Sequence, residues 1–88
     1  MDFYEWDEGK NAANRAKHGV GFELVLAFDW AAAVIQLDER YDYGELRYRA
    51  FGRIGGDAHC IAFTPRNSRL RIISLRPMHE KEARRYAI

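Results

Sequence analysis

Eighty-eight residues, of which 48% are apolar and 31% are charged, are enough for one domain with a single core over residues 1–88 and too few for two. No apolar run approaches the roughly 20 residues of a membrane-spanning helix, and no basic segment followed by an apolar block opens the chain, so we expect neither membrane association nor secretion. The net charge of +1 conceals a strong asymmetry, because residues 1–45 sum to −6 and residues 46–88 to +7.

The N-terminal half predicts two helices after a short extended segment at Phe3–Trp6. Residues 7–18 carry acids at the start, bases at the end and a glycine just beyond, which the helix dipole and a left-handed C-terminal cap favour. Apolar residues at helical spacing predict a second, shorter helix from Phe22 to about residue 29, with Val25 and Leu26 on its apolar face. Residues 31–37 fit a helix or a strand, and two β-branched residues favour a strand at 33–37.

The C-terminal half predicts three strands, at Leu46–Ile54, Ala58–Thr64 and Arg69–Arg76. The connectors between them are short and rich in glycine, proline and asparagine, so the strands are expected to form an antiparallel meander. A last helix is predicted over Met78–Ala87. The expected fold is α+β: N-terminal helices packed on a twisted antiparallel sheet, made of this meander plus one or two short strands, with a C-terminal helix.

Arginine dominates the basic half, where it supplies nine of the ten cations. Alternation along the first meander strand places Arg47, Arg49, Phe51 and Arg53 on one face. Arginine guanidinium groups bind phosphate through two hydrogen bonds, and an aromatic side chain stacks against a base. This face therefore predicts a binding surface for single-stranded nucleic acid. A solvated outer face with Phe51 covered by a partner fits the same pattern equally well.

Three further arginines, Arg66, Arg71 and Arg76, occupy the last hairpin and its second strand. Arg76 ends that strand just before a helix, where we expect it to meet an anionic ligand. For Arg71 the pattern slightly favours a structural ion pair, with Glu45 or with glutamates of the last helix. A ligand-binding role and a structural one therefore stay open for this group.

On the first helix, Lys10, Asn14 and Lys17 recur at spacings of four and three residues and form a polar stripe. The stripe is placed to add phosphate contacts, although such stripes are usually solvated helix faces.

The histidines and the single cysteine do not suggest a metal site. His59 and Cys60 are adjacent on a strand and therefore point to opposite faces, and the other two histidines lie far away in sequence. No nucleophile elbow or phosphate-binding glycine loop occurs either. We expect no metal and no cofactor, and a lone Cys60 that forms no internal disulfide favours a cytoplasmic setting.

The chain resembles the BrnT toxins of type II toxin–antitoxin pairs over nearly its whole length. Four ordered blocks carry the resemblance: Tyr4-Glu5-Trp6-Asp7-Glu8-Gly9-Lys10-Asn11 followed by Asn14 and Lys17-His18-Gly19-Val20; Asp42-Tyr43-Gly44-Glu45-x-Arg47; Phe63-Thr64-x-Arg66; and Arg71-Ile72-Ile73-Ser74-x-Arg76. It implies a RelE-like ribonuclease fold, arrest of growth by RNA cleavage, and a BrnA-type antitoxin as partner. Operator DNA would be contacted only indirectly, through that antitoxin.

The matched blocks suggest a catalytic set, and the strand face and helix stripe described above suggest an RNA-binding set. The catalytic residues are expected to be Arg66, Arg71, Arg76, Glu45 and Arg47. The RNA-binding residues are expected to be Arg49, Phe51, Arg53, Lys10, Asn14 and Lys17. Metal-independent cleavage through the 2′-hydroxyl also needs groups that move protons, and arginine is a poor base. Glu45, His59 and Tyr86 are the candidates for that role.

Two positions depart from the family pattern. Pro77 stands where a second arginine tends to follow, and Pro65 stands where an acidic residue is common. The first departure removes a cation beside Arg76, so a non-catalytic RNA-binding or protein-interaction domain, a decayed toxin, remains the alternative to an active ribonuclease.

Overall fold

The fold is an α+β domain built on a five-stranded sheet in the order β1-β5-β4-β3-β2. The computed structural model describes residues 3–88. Its elements are β1 Tyr4–Glu5, α1 Glu8–His18, two 3₁₀ helices at Phe22–Ala27 and Trp30–Ala32, β2 Val34–Leu37, β3 Tyr48–Ile54, β4 Asp57–Arg66, β5 Arg69–Pro77 and α2 Glu80–Arg85. No helix within residues 3–88 is long and apolar enough to cross a membrane.

The predicted meander is confirmed, since β2–β3, β3–β4 and β4–β5 all pair antiparallel. The sheet as a whole is mixed, however, because β1 pairs in parallel with β5. Alternation along one strand reveals its faces but not the direction of a distant partner, so the prediction of a purely antiparallel sheet was wrong at this edge.

Helix α1 forms as the capping pattern predicts. The side chain of Asp7 accepts a hydrogen bond from the backbone N–H of Lys10 at 2.9 Å, and Gly19 closes the helix at a φ of 78°, in the left-handed region. These two caps fix the length of the helix and therefore the position of the polar stripe along it.

The second predicted helix is instead a 3₁₀ segment. The residues that it and its C-cap bury are Phe22, Val25 and Phe28, which recur every three positions and so match the three-residue turn of a 3₁₀ helix. Leu26, assigned to the apolar face from the sequence, is 77% exposed. The final helix is also shorter than predicted, with Glu80 and Arg85 as its ends.

Other elements pack on both faces of the sheet. On one face the 3₁₀ segment packs its buried side chains onto the main core, whose members are Phe22, Val25, Phe28, Ala50, Ile54, Ile61, Phe63, Ile72 and Leu75. Gly52 permits this contact, because a Cβ there would lie 2.6 Å from Cζ of Phe28. On the other face α2 covers a smaller core of Phe51, Ala58, Cys60, Met78 and Ala83.

A buried amide fastens α1 to the sheet. Asn14 donates from Nδ2 to the carbonyls of Val20 at 2.9 Å and Leu75 at 2.8 Å, and its Oδ1 accepts from the N–H of Leu75 at 3.2 Å. The sequence assigned Asn14 to RNA binding, but its polar atoms are engaged inside the protein. The small side chains along α1 leave room for this clamp, which supplies the attachment that bulky packing would otherwise give.

Candidate nucleic-acid interface

Three arginines surround small side chains on the sheet face that also carries α2. In register, Arg49 of β3 stands beside Ala62 of β4, which stands beside Ser74 of β5. On β5, Arg71 and Arg76 flank Ser74 on the same face, because their β4 partners are two residues to either side of Ala62. We call these five residues the arginine trough. It brings together two of the predicted catalytic residues and one of the predicted RNA-binding residues.

Carboxylates from other segments hold two of the trough arginines in place. Arg71 donates to Glu5 of β1 at 2.8 Å, and Arg76 donates through both terminal nitrogens to Glu82 of α2 at 3.1 and 2.8 Å. The bond from Arg76 lowers the pKa of the Glu82 carboxyl. Both ion pairs are only partly exposed, so each fixes the position of a guanidinium that still reaches solvent.

A second group continues the same face. Glu45 accepts from Nε of Arg47 at 3.1 Å and lies 3.9 Å from a terminal nitrogen of Arg66. The guanidinium of Arg47 also sits 4.2 Å above the ring centroid of Tyr43. We call Glu45, Arg47 and Arg66 the Glu45 cluster. The structure therefore brings the other three predicted catalytic residues into one group.

A buried carboxylate organises the loop that carries this cluster. Asp38 receives two side-chain hydrogen bonds from Arg40, both at 2.8 Å, and one from the hydroxyl of Tyr43 at 3.0 Å. The bonds from Arg40 hold the pKa of Asp38 far below its usual value. Through Tyr43, the same network supports the ring on which Arg47 lies.

A groove of about 230 Å³ runs between α1 and the edge of β5. Lys10, Lys17 and His18 line one wall, and Ile73 and Ser74 line the other. Because Ser74 also belongs to the trough, the two lysines predicted to bind RNA lie on a continuation of the trough. His18 was not assigned a role from the sequence, although it is part of the first matched block.

Burial lowers the pKa of His18, and the positive charges of Lys17 and Arg76 lower it further. The imidazole is therefore mainly neutral at pH 7 and able to accept a proton. His59, one of the three proton-transfer candidates, points to the opposite face of the sheet and its Nδ1 lies 2.8 Å from the carbonyl of Asp57. It is separated from the trough by the sheet.

A family model supplies the identification. The model described as the ribonuclease toxin, BrnT, of type II toxin–antitoxin systems matches residues 6–82, a span that contains the trough, the Glu45 cluster and the groove. The chain belongs to the BrnT family. This confirms the resemblance, and membership implies an antitoxin as partner.

A solved structure agrees with the family match. The 1.1 Å crystal structure of the ribonuclease toxin BrnT from Brucella abortus is 26% identical to this chain and superimposes with a TM-score of 0.68, covering 90% of this chain and 99% of the other. None of the curated proteins matches the chain.

Two aromatic residues considered for the site, Phe51 and Tyr86, contact each other in this BrnT chain. Phe51 was expected as an exposed ring for base stacking, but it is 0% exposed and stacks on Tyr86 at a centroid distance of 3.7 Å and an angle of 7°. The sequence reveals which face Phe51 occupies, whereas its cover comes from the tail of α2. Tyr86, a proton-transfer candidate, is held in this stack.

Arg53 is also drawn into the contact with α2, and Arg49 lies against the Phe51 ring that α2 covers. Arg53 bonds to both oxygens of Glu80, at 3.1 and 2.9 Å, and to the carbonyls of Gly56 and Ile88. Arg49 lies 5.3 Å from the ring centroid of Phe51, and its buried Nε has no hydrogen-bond partner within residues 3–88. Arg53 is thus engaged internally, while Arg49 keeps a free donor.

Acidic and histidine side chains are scattered in this BrnT chain. Across residues 3–88, no three His, Cys, Asp or Glu side chains come close enough together to hold a metal ion. Cys60 is buried under α2, and this burial raises the pKa of its thiol. The trough presents three guanidinium groups and one hydroxyl group against the two carboxylates of Glu5 and Glu82, and the excess of positive charge suits an anionic ligand.

Proposed function

We propose that this BrnT chain is an endoribonuclease that inhibits translation by cutting RNA in the arginine trough. The observation that carries the proposal is the strand register that sets Arg49, Arg71 and Arg76 around the small side chains of Ala62 and Ser74. A phosphate seated over these small residues meets up to three guanidinium groups. Family membership over residues 6–82 supports RNA as the source of that phosphate.

The proposed reaction is metal-independent. The 2′-hydroxyl attacks the adjacent phosphorus and loses its proton, the bond to the 5′-oxygen breaks, and that oxygen takes up a proton. The products are a 2′,3′-cyclic phosphate and a new 5′-hydroxyl end. The extra negative charge that develops on the phosphate is stabilised by arginines already fixed in position, at little cost in reorganisation. In the Glu45 cluster, Glu45 orients Arg47 and Arg66 toward the same strand of RNA.

His18 is proposed as the proton acceptor. Because its pKa is lowered, the neutral form is populated at and below pH 6.5, and the cleavage rate is expected to rise with pH as His18 loses its proton. The midpoint of this acidic limb should lie below 6.5. In a pH series of single-turnover rates, His18→Gln should remove the limb and lower the plateau by about 10²-fold. An unchanged profile in that variant would remove His18 from the proton transfer.

The test of the function is a brief induction in bacterial cells that lack the antitoxin, followed by mapping of new 5′-hydroxyl ends in RNA. The parent is expected to generate new ends and arrest growth, whereas Arg66→Ala/Arg76→Ala should do neither. Arg84→Ala/Arg85→Ala is the matched control, since it also removes two arginines, both exposed on α2. It should behave like the parent.

A folded parent that generates no new ends would refute the ribonuclease proposal. If that protein still retains RNA with a steep dependence on salt, the chain is a non-catalytic binder that uses the same arginines. Equal toxicity of the parent and Arg66→Ala/Arg76→Ala would place the active site elsewhere.

The proposal extends to the partner and the cellular setting. We expect a BrnA-type antitoxin to neutralise the toxin, and operator DNA to be contacted only through that antitoxin. Residues 1–88 are proposed to act as a single toxin domain of RelE-like fold. We expect RNA as its substrate and the cytoplasm as the place where it acts.

A further inference from the structure

Helix α2 places its carboxylates on two arginines of the RNA-facing side of the sheet. Glu80 meets Arg53 with two bonds, at 3.1 and 2.9 Å, and Glu82 meets Arg76 with two bonds, at 3.1 and 2.8 Å. A carboxylate held by both nitrogens of a guanidinium has the same geometry that a phosphate adopts there. Two guanidinium groups of this face that could each bind a phosphate are thus occupied by carboxylates of the same chain.

The aromatic contact beside these pairs has the geometry of a stacked base. Tyr86 lies parallel to Phe51, at 7° and 3.7 Å between centroids, whereas most other aromatic contacts of the protein are edge-on, at angles of 73° to 90°. Aromatic side chains that bind single-stranded nucleic acid hold bases in this parallel arrangement. Phe51 is therefore a ring whose stacking partner is at present a tyrosine.

Arg49 supplies an independent indication that this place accepts a ligand. Its guanidinium lies above Phe51, yet its buried Nε donates to no acceptor within residues 3–88. Buried donors are nearly always paired in folded proteins, because an unpaired one loses its hydration without compensation. The surrounding packing covers this donor without satisfying it, so a ligand with a well-placed acceptor has a hydrogen bond to gain.

We propose that the side chains beneath α2 form a nucleotide-binding subsite for single-stranded RNA, and that α2 fills it in the free protein as an internal mimic. The members of this α2 subsite are Arg49, Phe51, Arg53 and Arg76. Tyr86 stands where a base stacks, and Glu80 and Glu82 stand where phosphates pair. The inference rests on the proposed function for the choice of RNA as the ligand.

Helix α2 is held in the subsite weakly enough for RNA to displace it. Helix α2 has only six residues, too few to be stable away from the sheet. The side chain of Glu80 is 59% exposed, so its pair with Arg53 is screened by water and salt. RNA that already sits in the trough brings further phosphates to adjacent arginines, and the entropy of releasing its counterions favours the exchange.

The first test measures binding of a labelled, short single-stranded RNA by fluorescence anisotropy at several salt concentrations. Glu80→Gln/Glu82→Gln should bind at least about threefold more tightly than the parent, a scale set by the loss of two ion pairs. Glu8→Gln/Glu39→Gln raises the net charge equally at exposed positions away from α2 and should give a much smaller gain. Adding Phe51→Leu to the first variant should reverse most of its gain, because a stacking surface is lost.

The second test uses the parent protein and hydrogen–deuterium exchange, so it does not depend on whether a variant folds. Saturating RNA should increase exchange of the amides in residues 80–88 while protecting β5. Unchanged or slower exchange in residues 80–88 would overturn the proposal, and so would equal RNA affinity of Glu80→Gln/Glu82→Gln and its control. If polyglutamate displaces α2 and RNA does not, the subsite belongs to an acidic protein partner and the proposal is likewise wrong.

Cleavage measured on the same preparations separates the two proposals. Displacement of α2 without cleavage would leave the α2 subsite standing and remove the ribonuclease function. Cleavage without faster exchange in residues 80–88 would support the ribonuclease function and rule out the α2 subsite.

Discussion

Arg71→Ala is expected to lower the rate of RNA cleavage by about 10²-fold, the usual cost of removing one preorganised donor to a developing oxyanion. Arg71 is half of a short ion pair, 2.8 Å from Glu5, and faces the trough from β5. Its loss would remove positive charge from the proposed position of the scissile phosphate. The measurement is a single-turnover cleavage rate on a defined RNA, with folding checked by circular dichroism.

The ion pair provides its own control, because Glu5→Gln breaks the same contact and leaves the cation. If Arg71 only ties β1 to β5, both variants should melt at a lower temperature and lose activity to the same small extent. If Arg71 acts on RNA, Glu5→Gln should lose far less activity than Arg71→Ala, because it keeps the cation and removes only the group that positions it. Equal rates in the two variants would remove Arg71 from the site.

The sequence was sufficient to predict the elements that are defined by short-range interactions, such as turns and helix caps. Turn residues define the hairpins of the meander, and a capping aspartate and a left-handed glycine define α1. The second helix was misread because the spacing of its apolar residues fits 3.6 residues per turn nearly as well as three. The exposure of Leu26 decides the matter, and exposure depends on the sheet to which the segment docks.

The candidate site shows the same contrast between local patterns, which the sequence predicts, and tertiary packing, which it does not. Alternation placed Arg49, Phe51 and Arg53 on one face, and the register confirms that they share it. Alternation does not reveal what covers a face, and here α2 buries Phe51 and pairs Arg53. Likewise, the spacing on α1 suggested that Asn14 is solvated, whereas the helix is docked with that residue inward.

The charge asymmetry between the two halves of the chain leads to ion pairs between them. Acids of the N-terminal half reach arginines of the C-terminal half, with Glu5 on Arg71 and Glu45 on Arg47 and Arg66. Each pair holds a guanidinium without burying it fully, which reduces the entropy that the arginine loses when it meets a phosphate. The acidic half therefore contributes to the site by positioning its cations.

Asn14→Ala is expected to lower the free energy of unfolding by about 3 kcal/mol, since it leaves the buried N–H and carbonyl of Leu75 without their side-chain partner and empties the space between α1 and β5. For a domain of this size the melting temperature should fall by about 12–24 °C. Thermal melts followed by circular dichroism measure the change. Lys17→Ala, an exposed position three residues along the same helix, should alter stability by less than about 0.5 kcal/mol.

RNA binding should show the reverse order of effects when it is measured at a temperature where both variants are folded: Lys17→Ala should change the affinity and Asn14→Ala should not. Lys17→Ala removes a cation from the groove and should weaken binding and flatten its salt dependence. Asn14→Ala leaves every charge in place and should retain the affinity of the parent. An Asn14→Ala protein that melts like the parent but binds RNA poorly would mean that this amide contacts the ligand.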